Sequence, residues 1–162
     1  MARLAALCLG LLFLAGGARA EGLEHEKHGA WETRCETPPG AERRQCYLVE
    51  TAMADDRPNV VLIIIALSTA DRKSRLLRVI APLGVLLPQG MQMRFGDQAV
   101  GTANFIRCLP NGCIAEAEIN DRLLATIEAA KTAVFTIYET PEEPIPVLVP
   151  VDGFKEAMDS LP

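Results

Sequence analysis

The sequence predicts a mainly β protein: an antiparallel sandwich or barrel with one short internal helix and a short C-terminal helix. Three observations predict it. From Trp31 onward the apolar residues fall into short runs with the two-residue period of a strand or, at Val60–Leu67, into a β-branched run apolar on both faces. Turn-forming clusters, such as those at 55–58 and 71–74, separate these runs at spacings of roughly 8–14 residues, which gives about eight short strands. Four cysteines, Cys35, Cys46, Cys108 and Cys113, bracket two turn-rich segments.

The first 20 residues stand apart from this globule. Arg3 supplies a charged start, Leu4–Ala15 a short apolar run, and Ala18-Arg19-Ala20 a small-residue cleavage site, the arrangement of a secretory signal peptide. The expected plan is a signal peptide over 1–20, a flexible polar tail over 21–29 and one β-sandwich domain over 30–162. Cys8 lies inside the apolar run, too early for a lipoprotein cysteine, and leaves with the signal. Cleavage removes Arg3 and Arg19 but no acid, so the formal charge of −5 becomes −7. An acidic chain lacks the basic surface that nucleic acid requires. With 49% hydrophobic and 23% charged residues it has the composition of a globular protein, not of a disordered one. The longest apolar run beyond the signal, Val60–Leu67, falls far short of the roughly 20 residues of a membrane-spanning helix. The expected location is the periplasm or the cell surface, with no transmembrane segment in the mature chain.

Glu21–Gly29 is polar, with Leu23 its lone large apolar residue. Ordering its backbone costs about 1–2 kcal/mol per residue, and little burial offsets that cost, so a loose tail is expected. His25 and His28 fall here, and solvated side chains are preferred over a metal pair. Trp31–Glu36 alternates and opens the first strand, with Trp31 buried; Cys46–Met53 follows a polar loop holding Pro38-Pro39-Gly40. Val60–Leu67 reads as a central buried strand and Leu76–Ala81 as the next. Val85–Phe95 reads as a hairpin turning at Leu87-Pro-Gln-Gly90, with Met91, Met93 and Phe95 inward and Gln92 and Arg94 wet. Leu109-Pro-Asn-Gly112 repeats that turn chemistry between arms at 104–109 and 113–119. Asn120 caps a helix to about Lys131, with Leu123, Leu124 and Ile127 on one face. Ala133–Tyr138 is a strand, Thr140–Pro146 a stiff connector with three prolines, and Val147–Val149 a last short strand. Asp152 caps a terminal helix on which Phe154, Ala157, Met158 and Leu161 share a face.

Four cysteines in an exported domain imply two disulfides, with three possible connectivities. Pairing of neighbours is preferred. Residues flanking the 109–112 turn face each other about 4.5–5.5 Å apart, which suits a bridge between Cys108 and Cys113. Cys35 and Cys46 flank their polar loop in the same way, while an inter-sheet bridge such as Cys35 to Cys108 stays open. A four-cysteine zinc site is disfavoured by the long gap between Cys35 and Cys46, and a redox pair by the lack of a C-x-x-C spacing.

No phosphate loop, dinucleotide fingerprint, zinc-protease helix or serine elbow is present. Both histidines lie in the expected tail, so nucleophilic catalysis lacks its usual base. Asp97, Glu116, Glu118 and Asp121 leave a two-carboxylate hydrolase formally open, but they are expected as solvent-facing acids. Glu139, Glu142 and Glu143 are expected on a solvated linker, not around calcium. Arg43-Arg44 and Arg72–Arg75 are turn charges, with contact to a polyanionic envelope surface as their functional reading. No catalytic residue, cofactor or metal is expected.

The pattern Trp31-x-x-x-Cys35, Cys46-Tyr-Leu-Val, Pro82-Leu-Gly-Val-Leu-Leu-Pro-Gln-Gly-Met-Gln-Met, Phe105-Ile-Arg-Cys108, Gly112-Cys113 and Asp152-Gly-Phe-Lys-Glu-Ala-Met resembles the invasion associated locus B family, small exported proteins of alphaproteobacteria. The resemblance runs over residues 29–161. It implies an immunoglobulin-like β-sandwich in the periplasm or at the cell surface and a link to host-cell entry, and it supplies no catalytic residue. The expected function is that of a non-enzymatic envelope protein, an interaction module for an envelope or host surface protein. The alternatives are a periplasmic small-ligand or metal carrier and, third, a carboxylate-pair hydrolase.

Overall fold

The computed structural model describes residues 24–37, 40, 42–69 and 71–162; the signal peptide expected over 1–20 lies outside them. The elements, in chain order, are β1 (Glu24–His28), β2 (Trp31–Glu36), β3 (Gln45–Met53), β4 (Val61–Ser68), β5 (Arg75–Ala81), β6 (Met91–Phe95), β7 (Gln98–Ala103), β8 (Phe105–Leu109), β9 (Gly112–Glu118), α1 (Asp121–Ala129), β10 (Thr132–Tyr138), β11 (Pro144–Pro150) and α2 (Phe154–Ser160). All strand pairs are antiparallel. They form a seven-stranded sheet, β1-β2-β3-β4-β5-β9-β8, and a four-stranded sheet, β11-β10-β6-β7. The expected antiparallel sandwich with one internal and one C-terminal helix is what the chain forms.

The core lies between the sheets. Leu48, Leu62, Ile64, Ala66 and Val79 of the large sheet meet Met91, Phe135, Ile137, Val147 and Val149 of the small one, each essentially closed to solvent. Phe95 and Phe135 stack edge to face with centroids 6.0 Å apart. Met91, Met93 and Phe95 point inward while Gln92 and Arg94 are exposed, as the alternation predicts. Asn120 caps α1 by accepting a hydrogen bond from the Leu123 N–H at 2.8 Å, again as expected. Trp31 is buried, set edge to face on Phe154 at 4.9 Å, and its Nε1–H donates to the Pro150 carbonyl at 3.1 Å.

Four expectations are corrected. Of the loose tail expected over 21–29, residues 21–23 lie outside the described residues, and Glu24–His28 form β1, paired with β2 from Glu24↔Cys35 to His28↔Trp31. Backbone pairing orders this segment, so it shows little apolar periodicity. Its turn is also docked: the Ala30 N–H donates to the Asp152 carbonyl at 3.2 Å.

The hairpin expected over 85–95 is instead the crossover between the sheets. Leu87–Gln89 makes a 3₁₀ turn, Leu86 N–H donates to the Tyr138 carbonyl at 2.6 Å, and β6 hairpins with β7. β7 (Gln-Ala-Val-Gly-Thr-Ala) carries mostly small residues, and they leave no alternation to read. The two similar Leu-Pro-x-Gly stretches therefore serve different ends, and only the second is a hairpin turn, with Leu109 opposite Gly112.

The 140–146 connector ends early, because β11 starts at Pro144. β11 is an edge strand, and its prolines at 144, 146 and 150 are exposed while Ile145, Val147 and Val149 face the core. A proline is tolerated there because the missing N–H falls on the unpaired side. Finally, Gly153, not Asp152, caps α2, in a left-handed conformation.

Candidate interaction surfaces

The four cysteines sit as register partners on adjacent strands. Cys35 of β2 is bonded to Cys46 of β3, and Cys108 of β8 to Cys113 of β9. The inter-sheet bridge left open by the sequence is not formed. Each bridge ties a loop or turn at the rim of the large sheet, and closing loops of these sizes contributes about 2–3 kcal/mol each in the chain-entropy model.

Three of the four acids singled out by the sequence, Glu116, Glu118 and Asp121, are engaged in structural pairs. Glu116 accepts a hydrogen bond from Arg78 across β5 and β9, Glu118 accepts from the Ser74 hydroxyl at 3.1 Å, and Asp121 pairs with Arg75. Asp97 is exposed beside Gly96 in the β6–β7 turn. On the segment before β11, Glu139 and Glu143 hold Arg57 of the β3–β4 loop at 2.9 and 3.5 Å. His28 Nε2 lies 3.7 Å from Glu26, and among the described residues no three of His, Cys, Asp and Glu gather to hold a metal ion. The three-residue spacing of His25 and His28 joins side chains on a helix, but β1 is a strand.

The feature the sequence reading missed is the outer face of the large sheet. Alternate residues of β4, Leu62, Ile64 and Ala66, are fully buried in the core. The others, Val61, Ile63, Ile65 and Leu67, are only half-buried, and no second layer among the described residues covers them. Register extends this surface sideways. One row runs Thr51, Ile63, Ile80, Ile114, and the next Val49, Ile65, Arg78, Glu116. Tyr47, Leu67 and Leu76 make a third row, and exposed Met53 lies beside Val61. Val49 and Ile114 are each 5% exposed yet lie outside the core cluster, because their apolar neighbours on the outer face close over them. Burial raises the Tyr47 hydroxyl above its ordinary pKa, with the nearby Glu36 adding to the effect. The signal was present in the run Val60–Leu67, apolar at every position. Such a run implies burial on both faces, whereas here one face is core and the other a surface.

Hollows also mark the surface, among them one of about 270 Å³ beside Gln92, Arg94, Val134 and Thr136 on the small sheet. A cleft of about 460 Å³ lies between β7 and α1, with Gln98, Glu118, Asn120, Arg122 and Thr126 among its walls. Another of about 440 Å³ lies at the start of α2, beside Lys131, Asp152 and Glu156. A smaller one, about 120 Å³, lies among the β2–β3 and β4–β5 loops.

Two packed antiparallel sheets, two disulfides between neighbouring strands and a broad apolar outer face define a small stapled β-sandwich. The family model for the invasion associated locus B (IalB) protein matches residues 31–162, and the chain belongs to that family. Two curated relatives are the Invasion protein B homologs of Brucella abortus strain 2308 and of Brucella abortus biovar 1 strain 9-941. Each is 26% identical over 84 residues, 51% of this chain and 49% of the relative. The aligned stretch thus spans about half the length of these relatives. The crystal structure of invasion associated protein B from Bartonella henselae is similar in fold, with a TM-score of 0.68 at 20% identity over 84% of this chain and 94% of that one. No helix among the described residues is long and apolar enough to cross a membrane.

Proposed function

We propose that the chain is an exported, non-enzymatic envelope protein that binds a protein partner through the outer face of its large sheet. The observation that carries this is the run of aliphatic residues on β3, β4, β5 and β9 outside the core. The wet face of an antiparallel sheet is normally polar, and a contiguous apolar patch on a soluble domain marks an interaction surface. The Arg78–Glu116 pair lies within the patch and satisfies itself, so a partner can cover it without stranding an unpaired charge. Family membership supports a link to host-cell entry, and the two disulfides and the leader-like first 20 residues support export to an oxidising compartment.

Photo-crosslinking from single positions tests it. A crosslinker at Ile65 is expected to give a discrete adduct in intact cells or on contact with host cells, and one at Arg94 on the small sheet is expected to give none. Absence of an adduct at Ile65 and at Met53 overturns the reading. The cleft beside α1, large enough for a small molecule, favours a second reading as a small-ligand carrier. A ligand retained in native mass spectrometry of the exported protein supports that reading.

A further inference from the structure

The sequence holds two basic segments on different loops, and the fold closes them onto one hollow. Arg43 and Arg44 come from the β2–β3 loop and Arg72 from the β4–β5 loop, around a space of about 120 Å³ that also meets Ser68 and Thr69 and, from the segment after α2, Leu161 and Pro162. We propose that this hollow binds the phosphate of a phosphomonoester.

The charge is set against the rest of the molecule. Acids outnumber lysines and arginines by 21 to 16. Among the described residues, ion pairs engage Arg34, Arg57, Arg75, Arg78 and Lys155, whereas neither Arg43 nor Arg72 has one. Of the acids in these two loops, Glu42 adjoins Arg43 and is exposed, while Asp71 is held within its own turn, accepting from the Thr69 hydroxyl at 2.6 Å and from the Lys73 N–H at 3.2 Å. The Ser68 hydroxyl has no hydrogen bond among the described residues and lines the hollow as a further donor.

Arg72 is the one residue other than glycine with positive φ among the described residues, at 57°. Glycine or asparagine takes that conformation at lower cost. The turn's own hydrogen bonds run from Arg72 N–H to the Thr69 carbonyl and from Thr69 N–H to the Ser74 carbonyl, each 2.8 Å, and use no guanidinium. The arginine at 72 is therefore not explained by the turn.

Size and charge select the ligand. The hollow is well below the roughly 300–1,000 Å³ of a site that encloses a whole small molecule, so it takes one group of a larger one. Guanidinium forks fit phosphate and carboxylate oxygens alike. A phosphomonoester brings about −1.5 to −2 charges at neutral pH and matches several arginines better than a carboxylate does. A sugar phosphate and a phosphatidic acid headgroup share this chemistry.

The test is NMR titration of arginine side-chain N–H signals in the disulfide-bonded protein with inorganic phosphate, glucose 6-phosphate and acetate. Sedimentation with phosphatidylcholine vesicles, with and without phosphatidic acid, runs beside it. Phosphate and the sugar phosphate are expected to shift the Arg43 and Arg72 signals saturably, with acetate far weaker. Arg72→Asn is expected to weaken binding about tenfold, the loss of one charge-assisted hydrogen bond, while its thermal midpoint stays at or above that of the parent. Arg94→Ala is expected to change nothing. Vesicle binding that needs both phosphatidic acid and Arg72 assigns the phosphate to a lipid, and sugar-phosphate binding without it assigns a glycan. The proposal is overturned by absence of saturable shifts, by an equal response to acetate, or by shifts unchanged in both Arg72→Asn and Arg43→Ala.

Discussion

At Gly153 the backbone adopts a φ of 82°, and a Cβ placed there would lie 1.8 Å from the His28 carbonyl oxygen. Gly153→Ala is therefore expected to cost more than the roughly 1–2 kcal/mol of the left-handed backbone alone, because the β1–β2 turn must also move away. Urea melts read this directly, and a change below about 0.5 kcal/mol would contradict it. Its neighbour Phe154, packed on Trp31, is expected to cost about 3–5 kcal/mol when changed to alanine. Phe154 was legible in the sequence because it begins a helical apolar stripe. Gly153 was not, because what fixes it is a carbonyl from the far end of the chain. Glu50 carries a pH dependence. Partial burial raises its carboxyl above the ordinary range, against the opposing effects of a Thr51 N–H and of Lys27. The native state thus holds this proton more tightly than the unfolded chain, and stability falls as pH rises from the unfolded pKa through the folded one. Glu50→Gln is expected to raise the melting temperature near pH 7 and to leave it almost unchanged near pH 3, below both values. A gain equal at both pH values would contradict the assignment.

Among the elements, the strands with strong alternation or β-branching were legible: β2, β4, β5, β6, β9 and β10 fall where the sequence places them, within a residue or two. β1 and β7 were not. Their residues are held by backbone hydrogen bonds and by what docks beside them, and neither leaves a side-chain period. Deleting residues 24–28 is accordingly expected to cost more than about 1 kcal/mol, since it strips the partner from β2 and the docking contact from α2. A loss below about 0.5 kcal/mol would return the segment to the status of a loose tail. β11 makes the opposite point, for its prolines hid a strand. They also remove donors from an exposed sheet edge, a known guard against edge-to-edge association. Replacing Pro144 and Pro146 by threonine is expected to preserve the fold and to produce concentration-dependent association in sedimentation velocity. A variant that stays monomeric at high concentration would show that the prolines do not guard this edge.

Over the whole molecule, one asymmetry organises the functional reading. The small sheet presents Gln92, Arg94, the β11 prolines and Leu148 to water, whereas the large sheet presents a broader run of valine, leucine and isoleucine around the Arg78–Glu116 pair. Sequence periodicity shows that a strand is apolar on both faces but not whether a second layer covers each face, so the fold class was legible and the uncovered apolar face was not. The disulfides add to this picture. Both staple the large sheet, β2 to β3 at one end of the strand order and β8 to β9 at the other, and leave its central strands to packing. Their joint loss is expected to remove about 4–6 kcal/mol on the chain-entropy estimate, a large part of a typical stability of about 5–15 kcal/mol. Such a design belongs in an oxidising compartment, and export is the claim on which the proposed function rests. Intact-mass analysis with non-reducing peptide mapping of the protein recovered from its native cells tests that claim most directly. The predicted result is a chain beginning at Glu21 with Cys35 joined to Cys46 and Cys108 to Cys113. A chain that keeps Met1 and carries four free thiols at those positions would contradict it.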